Sequence, residues 1–225
     1  VVPVLLGVAA RSNGVLRLLK ALRHEAPVVA ETVARLGAKA GNDPLALVVK
    51  TFHTTHGGKM SIGRLLAGQV TDGTVFHTPT GEAGRVSGVF KVMGQHFEKR
   101  GPAAVGDTVA LGKLDGAKTG DTLSAGKQPH AALTAVTPYP PVLAIAVQAK
   151  ERKDDVKLGA AFTKLTEEDP SLSVEHKPES HEVVIWGQGE MHLRVAAERL
   201  SDRYAVPVST KAPTVGYKET IRKPV

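Results

Sequence analysis

Along the chain the spacing of apolar residues changes twice, and each change predicts a different kind of element. In residues 1–27 a short apolar run at 4–7 predicts a strand. After it Val15, Leu18, Leu19 and Leu22 recur at i, i+3, i+4 and i+7, the period of one helix face. Ser12-Asn13-Gly14 supplies the start signal for that helix, and Pro27 marks its end. One strand and one helix cannot bury their apolar faces alone. Residues 1–27 therefore read as the C-terminal remnant of a larger α/β domain, an α/β stub, with an Ala/Gly-rich connector at 28–42.

From residue 43 to about 130 the pattern shifts to short β-type runs between frequent Gly and Asp, at 45–51, 60–70, 85–92 and 108–111. Gly106-Asp107-Thr108 and Gly120-Asp121-Thr122 each place a turn before a strand. Gly tolerates positive φ, and the Asp side chain is expected to bond the backbone two residues on. Several short strands in one stretch avoid exposed edges by closing, so an all-β barrel is expected.

Thr137-Pro138-Tyr139-Pro140-Pro141 is a stiff boundary within the linker 131–140. Beyond it residues 141–210 read as strand (142–149), helix (155–168), strand (172–176), strand (182–186), helix (190–204) and strand (206–209). This βαββαβ order is that of a ferredoxin-like split unit. Both helices carry an apolar stripe at i, i+3, i+4, i+7: Leu158, Ala161, Phe162 and Leu165, then Leu193, Ala196, Ala197 and Leu200. Residues 211–225 begin a further element.

Charge adds a weak pointer. Of 225 residues, 29 are Lys or Arg against 22 Asp or Glu, a formal net charge of +7, which leans towards a polyanionic partner such as nucleic acid. Without cysteine there is no disulfide framework and no thiolate chemistry, as in a reducing compartment. No apolar run is long enough to span a membrane. A soluble, cytoplasmic piece of a longer protein is expected.

The chemistry-bearing motifs are few. Gly57-Gly58-Lys59 fails as a phosphate loop, because His53 stands where the first Gly is needed and Met60 where a Ser or Thr would hold magnesium. No Asp-x-x-Gly is present. His53 and His56 lack a third metal ligand nearby in sequence and read as solvated strand or turn residues. No Gly-x-Ser-x-Gly or other nucleophile arrangement occurs, so neither catalytic nor metal-binding residues are assigned.

Two segments stand out. Gly187-Gln188-Gly189-Glu190-Met191-His192-Leu193 turns from a strand directly into a helix, either as a tight connector or as a docking loop with Gln188, Glu190 and His192 projecting. Lys150-Glu151-Arg152-Lys153-Asp154-Asp155 sits at a strand–helix junction, where Asp154 or Asp155 serves as N-cap and the basic half is free to meet phosphates. Aromatic residues number five Phe, three Tyr and one Trp. Phe52, Phe76 and Phe90 are expected in the barrel core, leaving RNA contacts mainly electrostatic.

These residues, taken in order, resemble the elongation factor G family of translational GTPases. Residues 43–51, Gly63-Arg64-Leu65-Leu66-Ala67-Gly68, and the segments 105–111 and 119–123 are similar to that family's second-domain barrel. Leu165-Thr166-Glu167-Glu168-Asp169-Pro170-Ser171, the Gly187–Leu193 loop and 213–221 are similar to its third domain and the entry to its fourth.

The resemblance implies a multi-domain architecture: the GTPase-domain remnant (1–27), a translation-factor barrel as domain II (43–130), a ferredoxin-like domain III (141–210) and the start of domain IV (211–225). It implies a full-length monomer that binds GTP and Mg2+, docks on ribosomal RNA and proteins, and couples hydrolysis to translocation, with no membrane partner. This chain lacks the phosphate loop and switch regions, so it holds no cofactor and should have no activity alone.

By the same resemblance Ala9 is the remnant of a guanine contact, with Val8 where relatives carry Ser. Gly187, Gln188, Gly189, Glu190 and His192 form the loop that docks on the protein's own GTPase domain, and domain IV is the other internal partner. Arg64, Lys150, Arg152 and Lys153 become candidate rRNA contacts. A ribosomal-protection or other non-translocating GTPase, and a free-standing RNA-binding module, remain alternatives.

Overall fold

The computed structural model describes residues 2–38, 41–54, 58–94, 96–126, 130–133 and 137–215. They fall into two compact units, Val1–Gly41 and Asn42–Val225. No helix among the described residues is long and apolar enough to cross a membrane.

The first unit holds one turn of 3-10 helix, Ala9–Arg11, and two helices, α1 (Val15–Glu25) and α2 (Val29–Arg35). The strand expected at 4–7 does not form. The one β contact nearby is an isolated bridge, Val8↔Asn13, in which Val8 N–H donates to the Asn13 carbonyl at 3.0 Å. An apolar run becomes a strand only beside another strand.

The expected connector at 28–42 contains α2, which ends as helices commonly do. Gly37 (φ +66°) donates to the Ala34 carbonyl and Ala38 N–H to that of Val33, the paired bonds that close a helix C-terminus on a left-handed glycine.

In the second unit eight antiparallel strands form one sheet: β1 (Leu45–Thr54), β2 (Gly58–Ala67), β3 (Val75–His77), β4 (Ala83–Arg85), β5 (Val89–Met93), β6 (His96–Arg100), β7 (Thr108–Gly112) and β8 (Thr122–Ser124). Their order is β4-β3-β8-β1-β2-β7-β5-β6. The single run expected at 85–92 is bent, so that β4 pairs with β3 and β5 with β7. Between them Val86 N–H reaches the Thr74 carbonyl and Ser87 N–H the Gly112 carbonyl, both at 2.9 Å.

One continuous segment thus joins the two sides of the sheet round a core that includes Val48, Leu65, Phe76, Leu111 and Leu123. The approach is close enough that a Cβ at Gly112 would collide with the Ser87 carbonyl oxygen.

The two Gly-Asp-Thr turns are near copies. Asp107 accepts the Ala104 N–H at 2.9 Å and Asp121 the Lys118 N–H at 2.8 Å, so each carboxylate bonds three residues back, not two residues on as expected. Each turn then binds a central strand, with Leu65 N–H donating to the Asp107 carbonyl and Val48 N–H to that of Asp121.

A second sheet follows, from β9 (Leu143–Ala149), α3 (Asp155–Glu168), β10 (Ser173–Lys177), β11 (Glu182–Gly187), α4 (Glu190–Asp202) and β12 (Val208–Lys211). Its strands lie in the order β10-β11-β9-β12, every pair antiparallel. Leu158, Ala161, Phe162 and Leu165 of α3 and Leu193, Ala196 and Leu200 of α4 are buried with Val147 and Ile185 of the sheet. Each fully buried Leu contributes about 1.5–3 kcal/mol.

Candidate functional site

Among the described residues a polar cluster lies where α3 ends against the first sheet. A helix leaves its last carbonyls without intrahelical donors, and β1 supplies them. Thr51 Oγ1 donates to the Glu167 carbonyl at 2.9 Å, and Lys50 Nζ donates to that of Glu168. A cation there also complements the negative end of the helix dipole.

The side chains of the same two acids reach back into the first sheet. Glu167 Oε2 lies 2.8 Å from His53 Nε2 and 3.1 Å from Lys59 Nζ. Glu168 accepts the His53 backbone N–H at 2.6 Å and Arg203 Nη1 at 2.7 Å, while Arg203 Nη2 also donates to the His53 carbonyl. Glu168 and Lys59 are buried, and Lys59 also donates to the Asp115 carbonyl at 2.6 Å. Burial pushes the Glu167 carboxyl up, but hydrogen bonds from His53 and Lys59, with their charges, outweigh it and hold it below the ordinary value.

Asp169, the next residue, faces the other way. Its carboxylate accepts the Ser171 N–H at 3.1 Å and the Ser171 hydroxyl, and it meets His192 Nε2 at 3.1 Å. His192 Nδ1 in turn accepts the Gln188 N–H at 3.1 Å, an arrangement that assigns the ring proton to Nε2, donated to Asp169. Burial raises the Asp169 carboxyl, yet the bonds from Ser171 and His192 win and lower it. Gln188 Nε2 donates to the Tyr139 carbonyl at 2.7 Å.

The loop is tied to its own chain on one side and open on the other. Gln188, though exposed, and the half-buried His192 fasten the loop to its own chain. Gly187 is needed internally, because a Cβ there would sit 2.8 Å from Leu193 Cδ2 and 3.2 Å from His192 Nδ1. Gly189 has nothing within 4 Å of such a Cβ, and its backbone is extended, a conformation any residue adopts. With exposed Glu190 at the first position of α4 and Met191 beside it, Gly189 forms the outward part of the loop.

The remaining sequence-derived candidates are scattered. Arg64, on β2, donates to Thr108 Oγ1 at 3.2 Å. Lys150, Arg152 and Lys153 are exposed at the β9–α3 junction, with Lys153 paired to Glu151. Asp154 occupies the N-cap position but makes no side-chain cap bond; its carboxylate binds Lys157 Nζ at 2.8 Å instead. Ala9 opens the 3-10 turn of the first unit.

His53, read as solvated, is held by Glu167, while His56 and Gly57 lie outside the described residues, as does 216–225. Phe76 is core, as expected, whereas Phe52 and Phe90 are only half-buried and face outward. Sequence reasoning missed Thr51, Lys59, Glu168 and Arg203. One signal was available for Glu168: it continues the buried stripe of Leu158, Ala161, Phe162 and Leu165 by three residues, where an acid must have partners.

Comparison with known proteins bears on the same segments. Residues 139–212 match the family model described as Elongation Factor G, domain III. The chain is 41% identical over 99% of its length to "Elongation factor G-like protein" of Synechocystis sp., covering 32% of that protein. It is 31% identical, again over 99% of its length, to "Elongation factor G 1" of Syntrophomonas wolfei, covering 35%. A crystal structure of a Thermus thermophilus protein superposes with a TM-score of 0.76 at 33% identity, covering 92% of this chain and 30% of that one. The chain thus spans about a third of the length of the curated relatives it matches.

Proposed function

We propose that this chain, a member of the elongation factor G family, is the middle portion of a ribosome-dependent GTPase that acts in translocation during cytoplasmic protein synthesis. In this reading 43–130 is the domain II barrel, 141–210 the ferredoxin-like domain III, 1–27 the end of the GTPase domain and 211–225 the entry to domain IV.

The observation that carries the reading is the asymmetry of the Gly187–His192 loop. Gly187, Gln188 and His192 serve the chain's own packing, while Glu190 and Met191 are exposed and Gly189, whose carbonyl accepts the Leu193 N–H at 3.1 Å, leaves open the space a Cβ would fill. An open glycine at a loop apex lets another backbone approach closely, which suits docking on the GTPase domain. The Asp169–His192 bond makes the loop a preformed surface. Arg64, Lys150, Arg152 and Lys153 are proposed as phosphate contacts that orient the factor on rRNA without reading sequence.

GTP and Mg2+ belong to the full-length protein. Ala9 fits the one contact this chain offers, because a residue opening a helical turn has an N–H with no intrahelical acceptor. Neither hydrolysis nor tight GTP binding is expected of these 225 residues alone.

Co-sedimentation of the full-length protein with 70S-type ribosomes, with and without a non-hydrolysable GTP analogue, tests this. Binding that requires the analogue supports the proposal; a folded protein that never pellets overturns it. Gly189→Val is expected to leave folding intact and lower ribosome-stimulated hydrolysis, and an unchanged rate would remove the docking role of the loop.

A further inference from the structure

A cavity of about 1100 Å³ opens between the first sheet and α4, beside the Glu168 cluster. Its floor is aromatic and aliphatic: Phe52, Ile62, Phe90 and Val92 from the outward faces of β1, β2 and β5, and Phe97 from β6. Phe97 is 37% exposed, and its ring lies 5.6 Å from that of Phe52 at an interplanar angle of 32°. Its rim is cationic, with Lys50, Lys113, Arg199 and Arg203.

The charges do not cancel. Glu168 is the sole carboxylate lining the cavity among the described residues, and it is already bonded to Arg203 and the His53 N–H. Lys50 and Arg203 are committed to that same corner. Lys113 and Arg199 are exposed and make no ion pair among the described residues.

A patch of apolar surface that wanted only an aliphatic partner would not carry uncompensated cations at its rim. Partly exposed aromatic rings flanked by an Arg and a Lys with no ion pair among the described residues match a ligand that is planar and anionic in one piece. We infer that this groove takes an unpaired nucleotide of single-stranded RNA, its base against Phe97 and Phe52 and its phosphate at Arg199 and Lys113. The inference rests on the ribosome-docking reading for its setting and adds a recognition mode to it. The sequence alone argued against stacking, because it placed Phe52 and Phe90 in the core.

The test uses the full-length protein and a short fluorescein-labelled single-stranded RNA of mixed sequence, followed by anisotropy across about 50–200 mM salt. Phe97→Ala is expected to weaken binding about tenfold at every salt concentration, and Phe97→Tyr, which keeps the ring, to restore it. Arg199→Gln should weaken binding less and reduce the slope of log affinity against log salt by about 0.7. A fully paired RNA should compete poorly.

Affinity indifferent to both Phe97 and Arg199 overturns the inference. So does equal competition by duplex, or Phe97-dependent displacement of the RNA by a glutamate-rich peptide. Ribosome pelleting separates the two readings. A protein that pellets normally but whose RNA binding ignores these residues loses only the groove; one that binds RNA through Phe97 but never pellets loses only the ribosome.

Discussion

Helices α1 and α3 carry the same apolar spacing and meet opposite fates. Val15, Leu18, Leu19 and Leu22 of α1 include no buried residue, with Leu19 55% and Leu22 57% exposed. Leu158, Ala161, Phe162 and Leu165 of α3 are all buried. Periodicity specifies which face of a helix is apolar, and burial then requires a surface to cover that face. α3 has its own sheet and the residues of α4 on the same side; the described residues of unit 1 form no sheet for α1 to lie on.

The comparison breaks first in the core. Leu165→Ala should cost about 2–5 kcal/mol, read as a lower urea midpoint, whereas Leu19→Ala should change stability by less than about 0.5 kcal/mol. Equal losses would mean that α1 is covered after all. Next is the acid that extends the α3 stripe: Glu168→Ala should cost about 2–3 kcal/mol. That figure sits below the usual loss for a broken buried pair because Arg203 is 38% exposed and rehydrates.

A smaller contrast lies in the loop. Gly187→Ala forces a methyl against Leu193 and is expected to cost about 1–3 kcal/mol in thermal unfolding, while Gly189→Ala stays within about 0.5 kcal/mol. Were Gly189→Ala as damaging, the outward face of the loop would have an internal role.

The smallest effect is acid sensitivity at the α3 terminus. Glu167 and Asp169 are held below their ordinary values of 4.5 and 3.8, so the stability they contribute is complete above those values. It is lost as the pH falls through the lowered folded values. His53→Ala and His192→Ala should each flatten the urea midpoint between about pH 5 and 2, and an unchanged pH profile would show that the imidazoles do not support these carboxylates.

Much of the fold was legible because it is written locally. The α3 boundaries at 155–168 and the strands near 45–51, 108–111 and 142–149 follow from period and punctuation, and the structure places elements at each. What was not legible depends on neighbours. β6 is a run of exposed and partly exposed residues, His96-Phe97-Glu98-Lys99-Arg100, with no strand pattern of its own, and it is a strand because β5 lies beside it, with Val89 opposite Arg100 and Met93 opposite His96. The strand expected at 4–7 fails for the converse reason.

The site divides along the same line. The loop from Gly187 to His192 could be singled out from its glycines and its place between strand and helix. Its partner Asp169 could not, nor could the pairing of His53 with Glu167 across 114 positions.

By itself the sequence determined the helix α3 and several of the strands, which of their faces are apolar, and the family these residues resemble. Such features are set within a few residues by backbone sterics and side-chain periodicity. Only the tertiary structure decided that β1 caps α3, that Lys59 is a buried structural cation, and that Gly187 and Gly189 differ in what they permit. It also turned Phe52 and Phe90 towards a groove. A buried charge is stable only beside its counter-charge, and a side chain is core or surface according to what the rest of the chain lays over it; both depend on residues far away in sequence.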